Sequence, residues 1–313
     1  MQEEIIISGR NIPHIDPHLE IWHWPISVYL FLGGLAAGIL FFSAFYTLWG
    51  KEEERPTAVK KAVIIAPIAL VLGLFFLFID LKHKTYFWRL YTVIRLESPM
   101  SWGAWTLMFI TPLSFVWAAL WIKEWFPDWD WKYTWLKNLE AWIFKHRKWV
   151  AALLVYFAVI LGIYTGILLS AFNARPLWNT ALLGPLFLVS GLSTGAATIM
   201  WMSTNKEEQA VFRRIDLILI GIEIFFIVHL FMGFLAGPEV QVEAASLFLG
   251  GQFTTAFWVL VVGMGLIVPA LLEILEMFGY SIHRAIPAIL ILIGGLIFRM
   301  IMVDAGQITR YLY

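Results

Sequence analysis

The chain has 313 residues, 60% of them hydrophobic, and its 22 basic and 22 acidic residues leave no net charge. Only 14% of its residues are charged, against about 25% in a soluble domain, which excludes an ordinary soluble fold, and the zero balance argues against a nucleic-acid partner. With no cysteine at all, the protein cannot itself ligate an iron–sulfur cluster or form a disulfide bond.

Eight long apolar runs follow one another along the sequence, and we number them spans 1 to 8. They cover residues 22–49, 61–80, 102–122, 149–171, 181–202, 216–236, 253–277 and 285–303. Each reaches the roughly 20 residues with which a helix crosses a bilayer, and in lipid a helix satisfies its own backbone hydrogen bonds. The sequence therefore predicts an all-α, multi-pass membrane protein.

The basic residues of the loops predict the orientation of the protein in the membrane. The loops between spans 1–2, 3–4, 5–6 and 7–8 hold about twice as many Lys and Arg residues as the termini and the other loops, so the positive-inside rule places both termini on the outer, periplasmic side. The longest inner loop repeats apolar residues at helical spacing, among them Trp135, Leu139 and Trp142. This pattern predicts a helix over about 133–147 that lies in the inner interface.

A short motif recurs near half the length of the sequence. Gly33–Gly38 in span 1 and Ser190–Gly195 in span 5 place small residues at matching positions, which would make the halves parallel repeats, each a four-helix bundle. The predicted division is an outer tail 1–21, a first bundle 22–171, an outer loop 172–180, a second bundle 181–303 and an outer tail 304–313. Because small residues at this spacing are common wherever membrane helices meet closely, chance recurrence is the alternative.

Four segments gather unusual residues at the outer end. Span 1 opens with Trp22-His23-Trp24, span 2 ends at Ile79-Asp80, span 3 opens with Ser98-Pro99 and Trp102-Gly103-Ala104-Trp105, and Arg175-Pro176-Leu177-Trp178-Asn179 follows span 4. In combination, and in order along all eight spans, these segments resemble the polysulfide-reductase-like membrane subunits of the NrfD/PsrC family.

The resemblance implies a subunit of the bacterial or archaeal cytoplasmic membrane. This subunit would bind a quinone, menaquinone or ubiquinone, at the outer face and hold no haem or metal of its own. The resemblance also implies electron exchange with a ferredoxin-like iron–sulfur subunit docked at that face. This partner would connect to a catalytic subunit, often containing molybdopterin, or to a multihaem cytochrome. The terminal substrate and the direction of electron flow stay open.

Tyrosines in spans 1 and 4 are the candidate quinone ligands. Tyr29 lies about 9 Å below His23 by the helical rise, and Tyr164 about 10 Å below the outer end of span 4, so the two phenols should share a depth. In the family, the quinone contacts a tyrosine matched by Tyr164 and two positions matched by Ile26 and Tyr29. Ile26 donates no hydrogen bond, so His23 or Ser27 would compensate. The alternative is that Tyr29, Tyr164 and His23 are interfacial aromatics.

Further polar residues at the outer end have two interpretations each. His23 and Asp80 are candidate proton relays beside the quinone, although Asp80 could instead be a helix-terminal carboxylate paired with a basic loop residue. Arg89, Arg95 and Arg175 are predicted to contribute to partner docking, and the alternative for Arg175 is a purely structural role in its loop.

Ionisable residues inside spans 6 and 8 form a second constellation of Glu223, His229, Arg299 and Asp304. Each such group costs roughly 2.5–3.5 kcal/mol to insert, so it usually pairs or conducts protons. Glu223 and His229 are predicted to belong to a proton route, although six residues set them about 240° apart around the helix. Arg299 and Asp304 could form only an ion pair. Three carboxylates extend the series inward: Asp216, Glu273 and Glu276.

Two other functions compete with the quinone-reactive subunit. A di-haem cytochrome b anchor needs paired axial histidines, yet of the seven histidines only His229 lies well inside a span. A secondary transporter would suit parallel repeats and buried charges, and it would need no redox partner. The sequence therefore favours a quinone-reactive anchor of a multisubunit respiratory oxidoreductase, with a transporter as the alternative and proton coupling left open.

Overall fold

The computed structural model describes residues 22–309 and Tyr311, and within this part of the protein all regular secondary structure is helical, without strands. Spans 1 to 8 run Trp24–Leu48, Thr57–Asp80, Pro99–Leu120, Arg147–Ser170, Leu183–Met202, Lys206–Leu235, Ala256–Met277 and Ala285–Ile308. The predicted all-α fold with eight membrane-spanning helices is confirmed. The predicted tail 1–21, and residues 310, 312 and 313 of the tail 304–313, lie outside the described residues.

Three shorter α-helices occupy the connections, Arg89–Thr92, Thr134–Lys145 and Glu239–Ser246, together with the 3-10 helices Lys84–Tyr86 and Ile122–Glu124. The second lies inside the range predicted for the interfacial helix and exposes the indoles of Trp135 and Trp142. We keep the names outer end, for the end that carries the 2–3 loop, and inner end, for the end that carries the 1–2 loop.

Span 6 is longer than its apolar run predicted. It begins at Lys206 rather than at residue 216, because the Asn205 side chain accepts a hydrogen bond from the backbone N–H of Glu207 and caps the helix at a polar turn. The apolar run marks the part of a helix that fits in lipid, so polar turns beyond it are missed by hydropathy.

The two recurring motifs lie against each other, where span 1 crosses span 5. A Cβ atom on Gly191 would lie 2.8 Å from the carbonyl oxygen of Gly34, and one on Gly195 would lie 2.6 Å from the carbonyl carbon of Gly38. Backbones this close require glycine, as in other membrane helix pairs with small residues four apart. The recurrence therefore has a packing function, and the proposed halves share a close interface.

A buried carboxylate connects the halves at the inner end. Glu208, at the start of span 6, is fully buried. It accepts hydrogen bonds from the backbone N–H groups of Thr57 at 3.3 Å and Ala58 at 2.9 Å and from the Ser203 hydroxyl at 2.7 Å. Its negative charge thus stabilises the first turn of span 2, where helix N–H groups have no intrahelical partner.

Glu208→Ala should destabilise the protein, because it leaves these donors without an acceptor in a buried place. Hydrogen bonds to a charged group contribute roughly 1.5–3 kcal/mol, so we expect the free energy of unfolding to fall by at least that amount. Thermal unfolding of the purified protein in detergent measures this loss of stability. Glu207→Ala, which changes the exposed neighbour, is the matched control, and equal unfolding midpoints for the two variants would contradict the role given to Glu208.

Candidate functional site

Two phenols are buried together among spans 1 to 4. Tyr29 is 2% exposed and Tyr164 is 7% exposed, and their hydroxyl groups are close enough to interact with each other. Two glycines stand beside them. A Cβ atom on Gly103 of span 3 would lie less than 3.0 Å from the ring and hydroxyl of Tyr164, whereas one on Gly73 of span 2 would lie 3.5 Å from the Tyr29 ring.

A histidine–carboxylate pair lies above the phenols. The Nδ1 atom of His23 is 2.9 Å from Oδ1 of Asp80, and the side chains are 54% and 7% exposed, respectively. By the helical rise this pair is about 9 Å nearer the outer end than Tyr29. The carboxylate is therefore shielded while the imidazole is open to the outer surface, an arrangement that can pass a proton between a buried site and water.

Ser27 does not join the phenols. It is two residues from Tyr29, or about 200° around span 1, and therefore points away from Tyr29. The residue is fully buried, and its hydroxyl has no hydrogen-bond partner among the described residues. Its role as a quinone ligand stays a prediction without a contact to the tyrosine pair.

Tyr91 is a residue that sequence reasoning missed. It lies in the short helix Arg89–Thr92 of the 2–3 loop, within electrostatic range of Tyr29, and burial raises the pKa of its phenol. A single tyrosine in a loop carries no periodic signal, so only the folded loop could indicate that it lies near the site.

The three arginines predicted for docking differ in their surroundings. Arg89 and Arg95 lie exposed on the 2–3 loop and line an open groove of about 1160 Å³. Arg175 instead uses its guanidinium within the protein, where Nη1 donates to the carbonyl oxygens of Gln307 at 2.6 Å and Thr309 at 2.9 Å. These bonds hold the end of span 8, so the structure favours a structural role for Arg175.

The second constellation centres on Arg299, which is fully buried. Its Nη1 donates to the Ser190 hydroxyl at 2.6 Å and its Nη2 to the carbonyl oxygen of Phe187 at 3.3 Å. The Glu223 carboxylate lies close enough to interact with both Ser190 and Arg299. A buried carboxyl group and a buried guanidinium therefore lie near each other between spans 5, 6 and 8, and their interaction reduces the cost of placing them in a membrane.

Carboxylates continue from this pair toward the inner end. The Ser193 hydroxyl donates to Oδ1 of Asp216 at 2.6 Å, and Glu273 interacts with Asp216. A small cavity is lined by Ser190, Ser193 and Glu223, and Ser193 is the residue whose hydroxyl contacts Asp216. At the inner end, an ion pair forms between Arg213 and Glu276.

The structure does not bring His229 to Glu223. His229 is exposed, its Nδ1 lies 2.8 Å from the carbonyl oxygen of Phe225, and its ring lies 3.9 Å from the Phe225 ring. The 240° separation puts it on another face of span 6. Asp304 is also exposed while Arg299 is buried. The groups gathered around Glu223 are instead Arg299, Ser190 and, through the cavity, Ser193.

Within residues 22–309 and Tyr311, no group of three or more His, Asp or Glu side chains is arranged to hold a metal ion. What the outer site offers is phenols that can form hydrogen bonds in an apolar setting, with the His23–Asp80 pair above them.

Comparisons with known proteins agree with the family resemblance. Residues 14–310 match the family described as polysulphide reductase, NrfD. The sequence is 33% identical to protein NrfD of Escherichia coli, over 93% of its own length and 97% of that protein. It is 31% identical to a polysulfide reductase component of Wolinella succinogenes, over 92% of its own length and 94% of that protein. It is 24% identical to a selenate reductase component of Mesobacillus selenatarsenatis, over 93% of its own length and 75% of that protein.

Proposed function

Because this chain belongs to the NrfD family of multi-pass bacterial membrane proteins, we propose that it is the quinone-reactive membrane anchor of a respiratory oxidoreductase complex. The observation that carries the proposal is the buried pair Tyr29 and Tyr164 below the His23–Asp80 pair. The relatives named as components of polysulfide and selenate reductases support a place in a reductase complex.

The residues of the site fit a quinone headgroup. Phenol hydroxyls both donate and accept hydrogen bonds, as carbonyl and hydroquinone oxygens require, and Tyr29 and Tyr164 present two of them in a water-poor setting. The bare backbone of Gly103 lets the Tyr164 phenol lie directly against span 3 at this depth. When bound, a quinol supplies electrons and protons together. Tyr29 and Tyr164 orient its oxygens, and the Asp80 carboxylate accepts a proton that His23 releases outward.

Electrons must leave through another subunit, because a protein without cysteine cannot hold an iron–sulfur cluster. The 2–3 loop is the favoured docking surface. It exposes Arg89 and Arg95 beside the apolar side chains of Phe87, Trp88 and Ile94, the mixture of arginine and aromatic residues that is enriched in protein interfaces.

The second half of the protein supports proton movement as a separate activity. Glu273, Asp216, Ser193, Glu223 and Arg299 form a buried polar series from the inner end of span 7 to the outer half of span 8. Carboxyl and hydroxyl groups in such a series exchange protons through hydrogen bonds or a bridging water. We assign the series to a proton route that is distinct from the tyrosine pair.

Purification and assay of the whole complex test this function. When this protein is used as the handle to purify the complex from bacterial membranes, mass spectrometry should identify an iron–sulfur subunit in it. The purified complex should also oxidise a short-tailed quinol. An amine-reactive cross-linker should join that subunit to Lys82 or Lys84 of the 2–3 loop. Cross-links to Lys123 or Lys137 of the inner loop would place the partner on the opposite face, and solute uptake without quinol oxidation would favour a transporter.

A further inference from the structure

The phenol of Tyr164 lies directly against the backbone of span 3. A Cβ atom on Gly103 would come closer than 3.0 Å to the Cε1, Cζ and hydroxyl oxygen of Tyr164. Real Cβ atoms do not approach other atoms this closely, so any side chain at position 103 must displace the phenol or the helix. The contact involves the functional end of the tyrosine, not its stem.

The helix that carries Tyr164 has little freedom to retreat. Two residues further along span 4, a Cβ atom on Gly166 would lie 2.7 Å from the backbone nitrogen of Gly184 in span 5. Span 4 is therefore held against span 5 on one side while its phenol lies against Gly103 on another. A methyl group at position 103 would act chiefly on the Tyr164 ring, moving the hydroxyl away from its place beside Tyr29.

We propose that Gly103 is a positioning residue of the quinone site. Because Gly103 has no side chain, the Tyr164 phenol can lie against span 3, and this contact determines the position of its hydroxyl group. The position of the hydroxyl in turn determines the direction of its hydrogen bond to the quinone. The inference rests on the proposed function, since it gives Gly103 a task only if Tyr164 contacts the quinone.

Gly73 provides the matched control. It lies beside the other phenol, and a Cβ atom there would be 3.5 Å from the Tyr29 ring and 3.6 Å from Cβ of Leu32, which are ordinary contacts. Both substitutions, Gly103→Ala and Gly73→Ala, change glycine to alanine inside a helix and gain the same intrinsic helix propensity. A difference between them therefore reports the contact with the tyrosine.

The experiment measures quinol oxidation by the purified complex for Gly103→Ala, Gly73→Ala, Tyr164→Ala and the double variant Gly103→Ala/Tyr164→Ala. For Gly103→Ala we expect kcat to fall at least about five-fold, as for one lost hydrogen bond, with little change in KM. Gly73→Ala should stay close to wild type. The double variant should match Tyr164→Ala, because the added methyl then enters the space that the phenol has left.

Thermal unfolding of the same proteins gives a readout that does not depend on quinol. Gly103→Ala should lower the unfolding midpoint when Tyr164 is present, whereas in the Tyr164→Ala background it should leave the midpoint unchanged or raise it, because the gain in helix propensity is then not opposed by a clash. Wild-type turnover in Gly103→Ala, or a further full loss in the double variant, would overturn the inference while leaving the quinone site intact. A wild-type complex that oxidises no quinol would instead end the proposed function. If Tyr164→Ala does not assemble, the comparison of Gly103→Ala with Gly73→Ala decides.

Discussion

Quinol oxidation by a complex carrying Tyr164→Phe should fall roughly five-fold while assembly stays intact. The substitution removes one hydroxyl and almost no volume, and a hydrogen bond contributes about 1 kcal/mol. The loss would be larger if a proton passes through that oxygen. The Tyr164 phenol is 7% exposed and lies against Gly103, so water cannot readily replace the lost hydroxyl.

Tyr156→Phe is the control for this variant. Tyr156 lies in the same span but is 61% exposed, so the loss of its hydroxyl should leave turnover unchanged. The decisive measurements are kcat and KM for a soluble quinol, together with the affinity for a quinone analogue. Wild-type values for Tyr164→Phe in all three would remove Tyr164 from the site.

Glu223→Gln should abolish proton movement across the membrane while quinol oxidation continues. The amide keeps the shape and most of the hydrogen bonding of the carboxylate, but it cannot take up and release a proton. Glu223 lines the small cavity together with Ser190 and Ser193, and it is the carboxyl group of the proposed route that lies between Asp216 and Arg299. In proteoliposomes carrying the complex, we expect the part of the pH change that exceeds the protons released by the oxidised quinol itself to drop at least about ten-fold.

His229→Gln is the matched control, because His229 lies in the same span but is exposed on another face. This variant should resemble wild type in both turnover and pH change. If Glu223→Gln also resembles wild type in both, Glu223 is only the counter-charge of Arg299. If Glu223→Gln loses both quinol oxidation and the pH change, the Glu223 carboxylate is needed for the quinone site and does not belong to a separate proton route.

The two halves of the protein share a crossing motif but differ in chemistry. The spacing that aligns the two glycine-rich motifs also aligns Asp216 with Val59 and Glu223 with Ala66. The first half therefore has apolar residues where the second half has carboxylates. The candidate quinone ligands Tyr29 and Tyr164 lie in the first half, so the proposed quinone chemistry and the proposed proton route belong to different parts of one fold.

Much of this protein follows from its sequence alone. Hydropathy along the sequence predicted eight spans, because the requirement for about 20 apolar residues is local and each helix satisfies its own backbone. The resemblance carried by Trp22-His23-Trp24 and Trp102-Gly103-Ala104-Trp105 identified the family that the comparisons confirm.

Which residues meet was decided only by the tertiary structure. The sequence predicted His23 and Asp80 as two separate candidate proton relays, but the 2.9 Å contact between them depends on how spans 1 and 2 pack. Likewise, the sequence shows Gly103 only as part of a motif, whereas the fold places its backbone against Tyr164. Hydropathy fixes how deep a residue lies, whereas its partners depend on the rotation of each helix about its axis. Close glycine contacts between distant spans set that rotation, and they are not visible in any single segment.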